Sequence, residues 1–331
     1  MKKTLLFNLI FIVSLSLANV GDSQSLLGRW DFAESTDGSE YIPRDEASLG
    51  IAGEKLILLG GRGAKETSVF DLKERQWLVA SSPPIEMHHF QTVNYEDKLY
   101  VIGAMTGKYP DETPVPNIYI YDPEADSWTK GAEIPANRRR GGAGAVLYND
   151  KIYLVCGITN GHKNGHVTWM DEFDPQTEKW TVMPDAPRAR DHFQAAVVNN
   201  ELFAVGGRKS MAPENTFAKT IAEVDVFDFS KKQWYTLTDN IPTMRAGTST
   251  VVLGKYVVIV GGESSSSELA HIETEAYDTK KGKWVKMVSL IDGRHGMGAV
   301  VYKNRIYVAG GNGNRGSGTP IETMEVFTLR I

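Results

Sequence analysis

The sequence predicts an all-β protein: one six-bladed β-propeller with four antiparallel strands per blade, its last blade closed by an N-terminal strand around Trp30. Three observations carry that expectation. Trp recurs at positions 30, 77, 128, 180, 234 and 284, at intervals of 47, 51, 52, 54 and 50 residues. Seven residues before five of these stands an aromatic followed by Asp: Phe70-Asp71, Tyr121-Asp122, Phe173-Asp174, Phe227-Asp228 and Tyr277-Asp278. Further upstream an apolar, strand-like run ends in a small pair: Gly60-Gly61, Gly103-Ala104, Cys156-Gly157, Gly206-Gly207, Gly261-Gly262 and Gly310-Gly311.

The N-terminus stands apart from this pattern. Lys2 and Lys3 precede an apolar run from Leu5 to Leu17, and Ser16 and Ala18 offer a cleavage site. Residues 1–18 therefore read as a secretory signal peptide and 19–25 as a short polar lead, with the propeller over 26–331. The run is shorter than the roughly 20 residues of a membrane span, and no other segment is apolar enough, so no span is expected in the mature chain. The expected location is outside the cytoplasm, periplasmic or extracellular. Removing Lys2 and Lys3 takes the net charge from −5 to −7, which argues against a nucleic-acid partner. A single cysteine, Cys156, leaves no internal disulfide to form.

Each unit supplies an inner strand, a second strand ending at the small pair, a third ending at the aromatic-Asp, and an outer strand holding the Trp. Such sheets are apolar on both faces and bury both when arranged as a ring. The small pair permits a turn and a close approach that a side chain would block, and the Asp carboxylate caps the next turn. Twelve residues before the second residue of the apolar run stands Arg44, Arg140, Arg190, Arg245 or Arg294; Met87 takes the place in the remaining unit. This combination of double Gly, spaced aromatic and Trp resembles the kelch repeat, and the resemblance covers essentially the whole mature chain. Phe327 has only four residues after it, so the sixth unit lacks its own Trp, and Gly28-Arg29-Trp30, which resembles Gly282-Lys283-Trp284, supplies the missing strand.

Long loops between second and third strands place function on one face of the ring. Arg44, Arg140, Arg190, Arg245 and Arg294 are expected around the central mouth of that face, joined by Arg62 and Arg208 directly after a double Gly. Such a cluster suits a carboxylate or sulfate, although a residue repeated in five blades also serves the repeat itself by bonding loop carbonyls. In kelch adaptors of ubiquitin ligases, arginines at similar places bind acidic peptides. His89 and His192 occupy equivalent sites in Met87-His88-His89-Phe90-Gln91 and Arg190-Asp191-His192-Phe193-Gln194. With Asp45, Glu46, Asp191, Glu263 and His295 they offer general acid and base groups beside the arginines. His162 and His166, four apart, lie in a Gly-rich loop without helical pattern, so no metal or other cofactor is expected. Cys156 and the tyrosines 100, 153 and 307 read as core.

Two function classes follow. One is a binding module for an acidic carbohydrate or other anion at the mouth, with a protein partner as a variant. The other is a periplasmic or secreted enzyme acting on a sugar acid by mutarotation, epimerisation, lyase or hydrolase chemistry. The architecture is similar to that of bacterial sialic acid mutarotases and of the galactose oxidase kelch domain, but the catalytic motifs of neither transfer to this chain, which argues against a copper radical oxidase.

Overall fold

The computed structural model describes residues 28–330; the expected signal peptide, the polar lead and the first two residues of the propeller lie outside the described residues. Six four-stranded antiparallel sheets follow one another around a ring. Blade 1 comprises Ala47–Ala52, Lys55–Gly60, Thr67–Asp71 and Gln76–Ala80, and blades 2 to 5 repeat the pattern with inner strands Gln91–Tyr95, Gly144–Tyr148, Gln194–Val198 and Ser249–Leu253. Blade 6 consists of His295–Tyr302, Arg305–Asn312 and Glu325–Leu329, with Gly28–Phe32 as its outer strand. Among the described residues no helix is long and apolar enough to cross a membrane.

Strand alternation explains the doubly apolar sheets. In the second strand of blade 1, Leu56 and Leu58 point toward Tyr307 and Ala309 of blade 6, while Ile57 and Leu59 point toward Leu99 and Val101 of blade 2. All four leucine and isoleucine side chains are fully buried, so each blade is held by the hydrophobic effect on both flanks. Cys156 and the tyrosines 100, 153 and 307 are buried in the same inter-blade layers.

The seven-residue offset between aromatic and Trp is the register of the outer hairpin. Phe70 lies opposite Trp77, Tyr121 opposite Trp128, Phe173 opposite Trp180, Phe227 opposite Trp234 and Tyr277 opposite Trp284. Trp30 lies opposite Phe327 in the same way. The indole Nε1 of Trp128 donates to Ser81 O at 3.1 Å, that of Trp180 to Glu133 O at 3.1 Å and that of Trp234 to Pro184 O at 2.8 Å, each reaching the preceding blade. Trp30 makes the equivalent bond to Val288 O at 2.9 Å, closing the ring. Within the hairpins, Asp71, Asp122, Asp228 and Asp278 accept the amides two and three residues on.

The double glycines join blades through the backbone. Gly61 N donates to Met87 O at 2.9 Å, Gly207 N to Arg245 O at 3.0 Å and Gly311 N to Arg44 O at 2.8 Å. At Gly61, with φ 98°, an added Cβ would sit 2.9 Å from Asp45 O, so both conformation and space demand glycine there.

The five repeat arginines do not line the mouth as a ring of free cations. Arg44, Arg140, Arg190, Arg245 and Arg294 are all fully buried. Arg140 donates to Cys156 O, Arg138 O and Leu154 O at 2.7–2.8 Å and pairs with Asp171 at 2.7 Å. Arg190 pairs with Asp225 and Arg245 with Glu275, both at 2.5 Å, and Arg294 with Glu325 at 2.7 Å. Arg44 has Ile42 O, Glu66 O and Ser68 Oγ instead. The physical reason is that the turns leading from the second strand expose carbonyls within the blade, and a five-donor guanidinium satisfies several at once. No donor is left facing solvent for a ligand.

Candidate functional site

Two residues after each repeat arginine, or after Met87, the chain enters the left-handed region: Glu46, His89, Gly142, His192, Gly247 and Gly296, with φ between 53° and 62°. These six form a collar around the central axis. His89 N donates to Glu46 O, Gly142 N to His89 O, His192 N to Gly142 O, Gly247 N to His192 O and Gly296 N to Gly247 O, at 2.7–3.0 Å. Glycine adopts this conformation freely, whereas a residue with a Cβ is disfavoured there by about 1–2 kcal/mol. Three blades nevertheless carry Glu46, His89 and His192.

A second tier stands directly after the small pairs and holds Arg62, Arg208 and Glu263. It meets the residue after each repeat arginine, as in the bridges Asp191↔Arg208 and Ala246↔Glu263. Arg208 is buried and donates to Glu263 and, at 2.9 Å, to Ser210 Oγ. His295, fully buried in blade 6, places Nδ1 3.6 Å from Glu46 Oε1 and 3.6 Å from Glu263 Oε2. Asp191 accepts from Ser210 N at 3.0 Å and Ser210 Oγ at 2.6 Å and holds the Nδ1 of His192. His192, Asp191, His89, Glu263, Arg62, Arg208 and His295 are thus brought together. Arg44, Arg140, Arg190, Arg245 and Arg294 lie outside the group.

The loops add what sequence reasoning did not connect. The hairpin Ile158–Asn160 with Asn164–His166 swings His162 across to blade 4, where its Nε2 lies 2.8 Å from His192 Nε2. Glu112, from the long loop of blade 2, is buried and takes His162 Nδ1 at 2.9 Å and Arg62 at 2.7 Å. The Nε2 of His166 donates to Ser210 O at 2.8 Å and lies 3.2 Å from Asp191 Oδ2. His88 Nε2 donates to Gly107 O at 3.0 Å, and its Nδ1 lies 2.6 Å from His89 Nδ1. Six of the seven histidines of the chain, all but His271, stand at this one mouth.

Above the collar opens a cavity of about 480 Å³, walled by Asp45, Glu46, Arg62, Arg208, Glu263, Tyr109 and Phe217, with Arg315 at its rim. The Arg208 and Arg315 guanidiniums lie 5.1 and 5.5 Å from the Phe217 ring centre. Burial lowers the imidazole pKa of His192 to about 4, helped by Arg208 and His162, and burial likewise holds His88 and His89 below the ordinary range. These rings are neutral at pH 7. Desolvation pushes the Asp45 carboxyl up, reinforced by Glu46 beside it. The Asp191 carboxyl is held well below its ordinary value: desolvation opposes ionisation, but His192, His166 and Arg208 outweigh it.

A closed ring of six such blades, each with its small pair, aromatic and repeat arginine or Met87, defines a kelch-type propeller. The chain belongs to that family: the Attractin/LZTR1 beta-propeller model matches residues 27–266 and the Kelch motif matches 244–291 and 293–330. It is similar to Kelch-like protein terF of Aspergillus terreus, at 27% identity over 94% of this chain and 70% of that protein. Kelch-like protein 38 of Rattus norvegicus is 25% identical over 77% of this chain, and beta-scruin of Limulus polyphemus 26% over 76%. The matched region is 42% and 28% of those two proteins. The solved structure of YjhT shares the fold, with a TM-score of 0.74 at 16% identity over 88% of this chain and 96% of that one.

Proposed function

We propose that this propeller is exported and binds a small acidic saccharide in the cavity at its mouth. The observation that carries the reading is the wall of that cavity, where Arg62 and Arg208 stand among Asp45, Glu46 and Glu263 beside the aromatic faces of Tyr109 and Phe217. About 480 Å³ lies within the size range of small-ligand sites. Each arginine already has a carboxylate partner, Glu112 for Arg62 and Glu263 for Arg208, so the mouth is not a simple anion trap. A sugar acid suits it better than a bare anion, because its hydroxyls donate to the wall carboxylates while its own carboxylate takes a guanidinium fork.

A second reading, an enzyme acting on such a sugar, is favoured by one observation. His295 is buried between Glu46 and Glu263 with neither ring nitrogen hydrogen-bonded, an imidazole and two carboxylates poised for proton transfer.

Proton NMR of the purified protein with uronic acids, sialic acids, neutral sugars and acidic oligosaccharides tests both. Line broadening confined to acidic members, lost in Phe217→Ala and Arg62→Gln, is the expected result. Accelerated anomeric exchange or new product signals, lost in His295→Ala, would move the protein to the enzyme class. No response to any saccharide would overturn the proposal in favour of a protein partner.

A further inference from the structure

Beneath the cavity, ring nitrogens of His89, His162 and His192 lie within 4.8 Å of one another, and all three side chains are buried. Their hydrogen bonds fix which nitrogen bears the proton. The carbonyl of Gly107 can only accept, so His88 Nε2 carries a hydrogen and its Nδ1, in a neutral ring, is an acceptor. His89 Nδ1, 2.6 Å away, is therefore the donor, and His89 Nε2 is left as a bare lone pair, buried and without a hydrogen-bond partner. His162 Nδ1 donates to Glu112 and His192 Nδ1 to Asp191, which turns their Nε2 lone pairs toward each other at 2.8 Å. Glu46 Oε2 sits 3.2 Å from His89 Nε2, outside hydrogen-bonding geometry.

Three buried imidazoles thus stand close together with no donor among these nitrogens, and Glu46 lies beside one of them. Buried acceptors left close together are costly, and a cation among them resolves all three at once. We infer that His89, His162 and His192 form a binding site for a divalent transition metal of the zinc type, with Glu46 at its edge. Imidazole is a preferred ligand of such ions, and three histidines with a further open position match the donor set of zinc sites that admit a substrate or water. The carboxylates behind His162 and His192 are the outer partners that orient metal-binding histidines and raise their basicity. With metal–nitrogen bonds near 2.0–2.1 Å, tetrahedral ligands stand about 3.4 Å apart, so the His162–His192 pair must open by roughly half an ångström. His162 rides on a hairpin loop and can make that shift. The competing arrangement is a single proton shared between His162 and His192.

The inference stands apart from the saccharide reading, because its test uses metal alone. The full purified chain is stripped with a chelator and titrated with Zn²⁺, and separately with Co²⁺ for its ligand-field absorption. One equivalent bound, with a rise in melting temperature, is expected. His162→Ala and His89→Ala should each weaken binding at least about 100-fold, and Glu112→Gln, which keeps all three ligands, by about 10- to 100-fold. His271→Ala, the histidine outside the mouth, should leave affinity unchanged. Circular dichroism and melting of the metal-free variants report whether they are folded, and Glu112→Gln, which removes no ring, serves if an alanine variant is not. Equal binding by wild type and His162→Ala, no binding by either, or an imidazole Nε2 proton on His162 or His192 that persists through a Zn²⁺ titration would overturn the proposal.

Discussion

Replacing Arg245 by Met tests whether the repeated arginines hold the blades together or await a ligand. The guanidinium is fully buried and donates to Gly261 O at 2.6 Å, Thr243 O at 2.7 Å, Ile259 O and Glu273 O at 3.3 Å and Glu275 Oε2 at 2.5 Å. Met fills much of the stem's volume but satisfies none of these acceptors. Glu275 retains Thr243 Oγ1 at 2.8 Å yet loses its counter-ion, and breaking one partner of a buried pair costs about 3–5 kcal/mol. With an unfolding entropy of roughly 2.1 cal/mol/K per residue, that lowers the melting temperature of a domain of about 300 residues by about 5–8 °C. Thermal melts followed by tryptophan fluorescence measure the change, and the double variant Arg245→Met/Glu275→Gln should recover part of it by removing the stranded charge. A melt unchanged within about 2 °C, accompanied by lost saccharide binding, would refute the structural assignment and restore the arginine ring as a ligand site.

Two further outcomes follow from the same packing. Gly298 lies where blade 6 meets blade 1, and an added Cβ would sit 1.9 Å from Leu49 N. Because the obstacle is backbone, Gly298→Ala should destabilise by at least about 1–3 kcal/mol, read by chemical denaturation, whereas Gly53→Ala, where the space is open, should cost only its positive-φ strain. Burial raises the Cys156 thiol from 9.0 to about 11, so between those values the native state keeps a proton that the unfolded state has lost. The associated stability is complete below pH 9 and is lost as pH rises toward 11, roughly 2–3 kcal/mol in all. Cys156→Ala should flatten that part of the stability profile, and native Cys156 should resist alkylation at pH 8 until the protein is denatured.

What was legible in the sequence is what the backbone repeats. The seven-residue spacing is a hairpin register, so it survives whatever loops are inserted. The surplus Trp30 reveals ring closure because Phe327 needs the same partner that Phe70 or Tyr277 has. The equivalence of His89 and His192 was legible for the same reason, since both sit two residues past the repeat arginine position. The arginines were legible in part: of the two roles expected for them, bonding loop carbonyls is the one they take, and a place at the mouth is not. Their place in the chain puts them at the mouth end of the inner strand, but their partners are Ser68, Asp171, Asp225, Glu275 and Glu325, which vary in type and spacing. Carbonyl acceptors have no sequence signature of their own, and only the repetition of the arginine at one site points to them. His162 and Glu112 were equally hidden, because each lies in a loop of irregular length and reaches another blade.

The collar explains how a repeat built for closure also acquires chemistry. Every blade places one residue in the left-handed region, and five of these six pass their amide to the carbonyl of the preceding one. Gly142, Gly247 and Gly296 take that conformation without strain, and they also leave room for side chains from adjacent blades. A Cβ at Gly296 would lie 2.9 Å from the Glu46 carboxyl carbon, and one at Gly142 3.5 Å from His192 Nδ1. Glycine at 296 is therefore a condition for Glu46, whereas at Gly142 and Gly247 it is chiefly the positive φ that favours glycine. The backbone strain of Glu46, His89 and His192 persists only because the ring over-determines it, as strained residues at functional sites require. The six-fold scaffold supplies rigidity, and its broken symmetry at one tier concentrates imidazole and carboxylate on the axis, where each side chain reaches the others across blades that are distant in sequence.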